Sequence, residues 1–196
     1  MATEDKIVKY IDIPLQHASG NVLKSMRRVG DRQYLTALVN KLRKKIPSIV
    51  VRTTFLVGFP GETEEDFTEL SEFVKEMRFE RMGCFPYSQE EGTPAAEMED
   101  QVDADLKERR AEILMEKQMY IMQEDGEKLV GEELDVLVEG YDRYAECWFG
   151  RSYRDAPEID GKVFFTLQDK KPALGSMVKV KINECMDADL FGERID

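Results

Sequence analysis

Apolar and polar positions change period along this chain, and the changes divide it. Residues 7–15 alternate around Ile7, Ile11, Ile13 and Leu15, which predicts a short buried strand. The strand stops at Pro14 and the polar cluster Gln16-His17-Ala18-Ser19-Gly20, read as a loop. Asp31 reads as an N-cap, and Leu35, Leu38, Val39, Leu42 and Ile46 follow at helical spacing until Pro47. Ile49 to Val57 reads as a second strand, broken by Gly58-Phe59-Pro60-Gly61. Thr63-Glu64-Glu65-Asp66 opens a second helix. The hydroxyl suits the free N–H groups and the acids suit the positive end of the dipole. Arg81 to Tyr87 reads as a third strand. Two helical crossovers between three strands imply a parallel sheet with helices outside it.

Val102 to about Lys128 is a charged helix with an apolar face of Leu106, Ile113, Leu114, Tyr120 and Ile121, and Gly131 closes it. The period then becomes two. Leu134 to Val138, Tyr144 to Phe149, Lys162 to Leu167 and Met177 to Ile182 alternate, with glycines between them. Four or five short strands predict a small antiparallel barrel. The expected division is a β/α domain over residues 1–128 and an all-β barrel over 129–196.

Composition narrows the function classes. The chain has 196 residues, 42% of them hydrophobic, and a formal net charge of -12, so a real core is expected. No run approaches the roughly 18 apolar residues of a membrane span, and the charged first ten residues do not read as a signal peptide. Cys84, Cys147 and Cys185 are far apart, which excludes a disulfide framework and a local CxxC site, and a reducing cytoplasm is expected. The acidity disfavours nucleic acid, because phosphate binding needs clustered Lys and Arg. A strand pattern already under way at residue 7 suggests a piece excised from a longer protein.

Candidate chemistry collects where parallel strands end, since ligands of β/α folds meet that edge. The first end carries Gln16, His17 and Ser19. The second carries Arg52, Thr53 and Thr54 and then Gly58 to Glu62. The third carries Tyr87, Ser88 and Gln89. Bland readings compete. A lone loop histidine is most often a structural hydrogen-bonder, and a strand-to-helix turn uses glycine anyway. Glu64, Glu65 and Asp66 fit a helix start, Cys84 fits the core, and Met115, Met119 and Met122 fit helix packing. The residues alone support a β/α ligand site plus a barrel, with no named reaction.

Four motifs add a resemblance. They are Asp12-Ile13-Pro14-Leu15-Gln16-His17-Ala18-Ser19, then Arg52 to Thr63, then Tyr87 to Ala95, then Ser152 to Gly161. In this order they resemble the RimO family of radical-SAM methylthiotransferases. The resemblance implies the C-terminal part of a radical-SAM partial TIM barrel followed by a TRAM domain, an OB-like barrel. It implies S-adenosylmethionine and two 4Fe-4S clusters in the full-length protein, and methylthiolation of the β-carbon of an aspartate in ribosomal protein S-twelve. From the shared strand ends, cofactor binding is expected of Gln16, His17, Ser19, Arg52, Thr54, Gly58, Pro60, Gly61, Glu62, Phe85 and Tyr87. Substrate binding is expected of Tyr153, Asp155, Glu158 and Asp160, in a Pro- and Gly-bounded loop expected to reach a partner. The family's CxxxCxxC motif is absent, and three scattered cysteines do not replace it. The chain alone is therefore expected to hold no cluster and to be inert.

Two other readings stand beside this one. The tRNA-modifying relatives resemble Leu-Pro-x-Gln-Ser-Gly-Ser where this chain has Pro14-Leu15-Gln16-His17-Ala18-Ser19. Residues 130–196 carry 9 Lys/Arg against 15 Asp/Glu, a net of -6, which suits a basic ribosomal protein better than tRNA. A non-catalytic binding module is the third reading.

Overall fold

The computed structural model describes residues 1–4, 6–167 and 171–196. The chain forms two compact units, Met1–Asp5 with Ile11–Ile121 and Lys6–Tyr10 with Met122–Asp196.

The first unit is built on a sheet of β1 (Tyr10–Asp12), β2 (Val50–Val57) and β3 (Arg81–Pro86), in that order. β2 and β3 are parallel, with Arg52 opposite Arg81 and Val57 opposite Pro86. β1 is shorter than the alternation over 7–15 predicts. Pro14 has no N–H to give a ladder, and Gln16 takes a φ of 71°, so regular strand ends early. Gln16 still bridges to Phe55: its N–H donates to Thr54 O at 2.9 Å, and its carbonyl accepts from Leu56 N at 2.8 Å.

The helices among the described residues are, in chain order, α1 (Gly20–Ser25), α2 (Arg32–Lys45), α3 (Glu64–Met77) and α4 (Ala104–Glu127). α1 starts at Gly20, the last residue of the predicted loop, and runs through a stretch where the pattern predicted no element, and a 3-10 turn occupies Pro94–Glu97. Asp31 caps α2 by accepting from Tyr34 N, and Thr63 and Asp66 form a reciprocal capping box on α3. Strand alternation decides which side chains are covered. Val51, Thr53, Phe55 and Val57 are buried, while Arg52, Thr54 and Leu56 on the opposite face are only half-buried. The buried face meets α2 and α3 in a core where the Phe55 ring lies 6.2 Å from Phe73 and 5.7 Å from Phe79. Ala111, Leu114 and Ile121 of α4 join that core.

The second unit is a closed barrel in the order β4-β5-β6-β8-β7. Its strands are β4 (Glu133–Asp142), β5 (Cys147–Arg151), β6 (Val163–Thr166), β7 (Met177–Met186) and β8 (Asp189–Arg194). The antiparallel expectation needs one correction, since β6 and β8 pair in parallel to close the barrel. Val136, Val138, Val163, Phe165, Val180 and Ile182 fill the interior. Phe149 lies on the outer face, where Phe164 and Phe191 stack at 5.2 Å, while Trp148 packs partly against the core. No helix among the described residues is long and apolar enough to cross a membrane.

Candidate functional site

The three strand ends converge on one edge of the sheet, and a buried polar network holds them. Tyr87 N–H donates to Val57 O at 2.8 Å, and the Tyr87 ring meets Phe59 edge-on at 5.2 Å. Val22, Phe59 and Tyr87 form a small apolar cluster there. His17, wholly buried, accepts from Ser19 N at its Nδ1 (3.0 Å). That bond leaves the imidazole proton on Nε2. Nε2 lies 3.4 Å from Glu62 Oε2 and makes no hydrogen bond.

Glu62 is the hub. Its Oε2 accepts from Gly58 N at 2.7 Å and its Oε1 from Arg110 Nη1 at 2.7 Å. Arg110 comes from α4, is 3% exposed, reaches Glu64 with Nη2 at 3.0 Å, and lies over the Phe67 ring at 5.2 Å. Gly58 sits at a φ of +71°, and a Cβ there would lie 1.9 Å from Lys107 Cγ, so glycine is required on two grounds. Lys107 Nζ in turn donates to Tyr87 O at 3.1 Å.

Ser19 links the first strand end to α3. Its hydroxyl donates to Asp66 Oδ1 at 2.5 Å and accepts from Asn21 N, capping α1. Burial alone would raise the Asp66 carboxyl. The hydrogen bonds from Ser19 and Thr63 outweigh it and hold the group below its ordinary value. A depressed carboxylate stabilises the fold above its unfolded pKa and loses that contribution as pH falls through the folded value. Ser19→Ala should therefore cost about 1–2 kcal/mol near neutral pH and much less in strong acid. Urea unfolding by circular dichroism across acid pH measures this, and an equal loss at every pH would contradict it.

The expected cofactor residues divide into three sets. Arg52, Thr54 and Phe85 share the open face of the sheet, where Arg52 pairs with Asp12 at 3.4 Å and Phe85 is 56% exposed. Gln16, Pro60 and Gly61 lie at the strand ends. His17, Ser19 and Glu62 are turned inward. Their polar atoms are occupied by one another and by Asp66, Gly58 and Arg110, so direct contact with a ligand is not what this geometry offers. Tyr87 is buried too, with its hydroxyl unpartnered. Asp66, Lys107 and Arg110 are parts of the site that the pattern of the sequence did not single out.

The expected substrate loop also needs a correction. Asp155 is buried, and its Oδ2 accepts from the Ser152 amide at 3.1 Å and the Ser152 hydroxyl at 2.8 Å. It holds the turn rather than reaching outward. Asp160 Oδ2 accepts from Ala156 N at 2.8 Å and from the Tyr10 hydroxyl at 2.6 Å. Glu158 is exposed, and Tyr153 is half-buried with Arg154 over its ring at 6.0 Å.

Comparison with known proteins agrees with this two-part layout. The model of the Radical SAM superfamily matches residues 2–74, and that of the TRAM domain matches residues 130–195. The first part of the chain thus resembles the Radical SAM superfamily, and the barrel resembles a TRAM domain. The ribosomal protein uS12 methylthiotransferase RimO of Desulforamulus reducens is 48% identical over 194 residues, 98% of this chain and 44% of that protein. The protein of the same description from Clostridium botulinum is 46% identical, over 98% of this chain and 42% of its own length. The RimO resemblance carried by the four motifs is thereby borne out, as is the expected fold. The chain spans less than half the length of these relatives. Among solved structures, the coproporphyrinogen III oxidase (HemN) of Escherichia coli is 18% identical with a TM-score of 0.46, covering 60% of this chain and 27% of that one, too slight a likeness to inform the fold.

A match to the Radical SAM superfamily implies S-adenosylmethionine and iron–sulfur chemistry. The cysteines here do not fit a cluster. Among the described residues no group of three or more His, Cys, Asp or Glu is placed to hold a metal ion. The donor set at the strand ends does fit S-adenosylmethionine: half-buried Arg52 and Thr54, turn backbone at Gly58 and Gly61, and an orphaned Tyr87 hydroxyl.

Proposed function

We propose that this chain is the cofactor-facing and substrate-recognising part of a radical-SAM methylthiotransferase acting on ribosomal protein uS12 in the cytoplasm. The observation that carries this reading is the 48% identity over nearly the whole chain to a protein of that activity. The full protein uses two 4Fe-4S clusters, whose ligands are not among this chain's cysteines. S-adenosylmethionine, when bound and reduced, supplies the radical chemistry that an unactivated aspartate β-carbon demands.

The chain's own residues then have separate tasks. Arg52, Thr54 and Gln16 present polar groups to the cofactor. The backbone at Gly58, Pro60, Gly61 and Phe85 to Tyr87 borders its adenosine part. His17, Ser19 and Glu62 position these segments from behind. The barrel recognises the protein substrate. Its net charge of -6 over residues 130–196 complements a basic ribosomal protein, and Tyr153, Glu158 and Asp160 lie on the loop that borders its surface.

The partner is tested by titrating the whole chain with purified uS12 and with tRNA at two salt concentrations. Binding of uS12 that weakens as salt rises is expected, with no comparable tRNA binding. Glu158→Lys, an exposed change, should cost less than about 1 kcal/mol. Tight tRNA binding without uS12 binding would move the protein to the tRNA-modifying branch.

A further inference from the structure

The barrel carries a strand edge that no strand among the described residues pairs. Successive residues of an antiparallel strand direct their N–H and C=O groups to opposite sides. On β4, Glu132 O accepts from Ile182 N at 2.9 Å and Val138 N–H donates to Ser176 O at 2.9 Å. Leu134 lies opposite Val180 and Val136 opposite Val178 in the same register. Even-numbered positions therefore bond toward β7, and Glu133, Asp135 and Leu137 direct their backbone to the other side. Leu137 finds Arg151 of β5 there. β5 then ends, and the chain leaves through the turn locked by Ser152 and Asp155. Among the described residues no strand lies beside Glu133 and Asp135 on that side.

The unpaired edge borders a groove of about 590 Å³, all of whose lining belongs to the barrel unit. Its apolar lining includes Val8, Leu137, Tyr153, Pro157 and Met177, and Val8 and Met177 are 55% and 59% exposed. Its charged lining is Glu133, Asp135 and Asp155 against one cation, Arg151, which Glu139 already holds at 2.6 Å. Asp135 meets Lys179 at 3.2 Å, but both are exposed, so that pair is easily exchanged. Open backbone groups, apolar lining and an acidic rim thus coincide.

We infer that this groove takes an extended basic peptide segment as an added strand along Glu133–Asp135. Main-chain hydrogen bonds hold such a guest, and alternate side chains give it selectivity. Basic side chains of the guest pair with Glu133 and Asp135, and its alternate, apolar ones face Tyr153 and Pro157. An anionic guest such as RNA would face the wrong sign of charge. The inference rests on the reading of the barrel as a recognition module for a basic protein, and it names the mode of that recognition.

The test uses the whole chain and a fluorescent octapeptide of alternating Lys and Val, read by anisotropy. Two further peptides are N-methylated at alternate residues, one in each register. A Glu–Val octapeptide and a single-stranded RNA oligomer are also titrated. The Lys–Val peptide should bind, and methylation in one register only should weaken it by about tenfold, as expected for two lost hydrogen bonds. Asp135→Pro removes an N–H that the β7 ladder does not use, so it should weaken the peptide to a similar degree while the barrel still folds. Should that variant not fold, the two methylated peptides decide alone. Equal binding of both methylated peptides and their parent, or binding of RNA or of the Glu–Val peptide in place of the Lys–Val peptide, would overturn strand addition. Intact uS12 separates the two readings. If it binds wild type and Asp135→Pro equally, strand addition is overturned and the proposed function stands. If the peptide adds as a strand and uS12 does not bind, the inference stands and the assignment of the partner falls.

Discussion

Anaerobic reconstitution of this chain with iron and sulfide is expected to yield no 4Fe-4S absorbance, and adding S-adenosylmethionine and reductant should yield no 5′-deoxyadenosine. Cluster assembly needs about three or four converging thiolates. The chain has three cysteines, and no three of its side chains of ligand type are grouped for a metal among the described residues. Cys84 belongs to the β/α unit, whereas Cys147 and Cys185 belong to the barrel. Burial pushes the Cys84 thiol up to about 12, with Glu62 adding to the effect, so the thiolate is scarce at neutral pH. Burial and Asp142 raise Cys147 as well. Cys185 is buried, with its thiol beside Gln123 at 3.8 Å. Turnover by the 196-residue chain alone would refute the assignment of the cluster ligands elsewhere.

Most elements were readable from the chain because local signals and burial agreed. Asp31 and Thr63 cap the helices that their spacing announced, and Asp66 completes the box on α3. Alternation on β2 sorts its faces, and on β5 it puts Trp148 and Phe149 on opposite faces, of which the structure makes Trp148 the inward one. Three departures of the structure from the sequence pattern have separate causes. β1 was overextended, because alternation over 7–15 says nothing of whether a partner strand runs alongside, and only Tyr10–Asp12 is regular strand. α1 has six residues, less than two turns, and its periodic signal is too short to register beside the glycine that opens it. β8 was missed because Asp189-Leu190-Phe191-Gly192-Glu193-Arg194 has one small residue, Gly192, at an inward position, where a Cβ would meet Lys181 O at 2.2 Å.

The site shows a sharper limit. Strand ends announce themselves through glycine and short polar residues, so the edge of the sheet was legible. The residue that anchors it was not. Arg110 is 48 positions from Glu62 and sits in a helix rich in charge, where nothing local marks one arginine as buried. Asp155 did carry a readable sign. Ser152 and Asp155 are spaced as serine and carboxylate are in a local side-chain-to-backbone turn, and that spacing argues for an inward carboxylate.

The second large effect is expected at Glu62. Glu62→Ala should destabilise the β/α unit by about 3–5 kcal/mol, the usual loss when a buried ion pair is broken from one side. The change strands Arg110, which is 3% exposed and, among the described residues, keeps the solvent-facing Glu64 as its one charged partner. It also removes the acceptor of Gly58 N and the carboxylate facing His17 Nε2. Arg110→Met should cost less, because Glu62 retains the Gly58 amide and methionine fills much of the arginine's volume against Phe67. The double variant Glu62→Met with Arg110→Met should recover part of the single loss, since replacing both charges by apolar groups removes the uncompensated one. The choice of probe matters. Trp148, the only tryptophan, is in the barrel, so its fluorescence follows barrel unfolding. His17, the only histidine, is in the β/α unit, and its imidazole resonances report that unit and the tautomer together. Loss of the Nε2-protonated His17 signal at lower urea in Glu62→Ala, with helical circular dichroism following it, is the expected result. A shift worth less than about 1 kcal/mol would show that water reaches this cluster and that Glu62 does not hold the strand ends together.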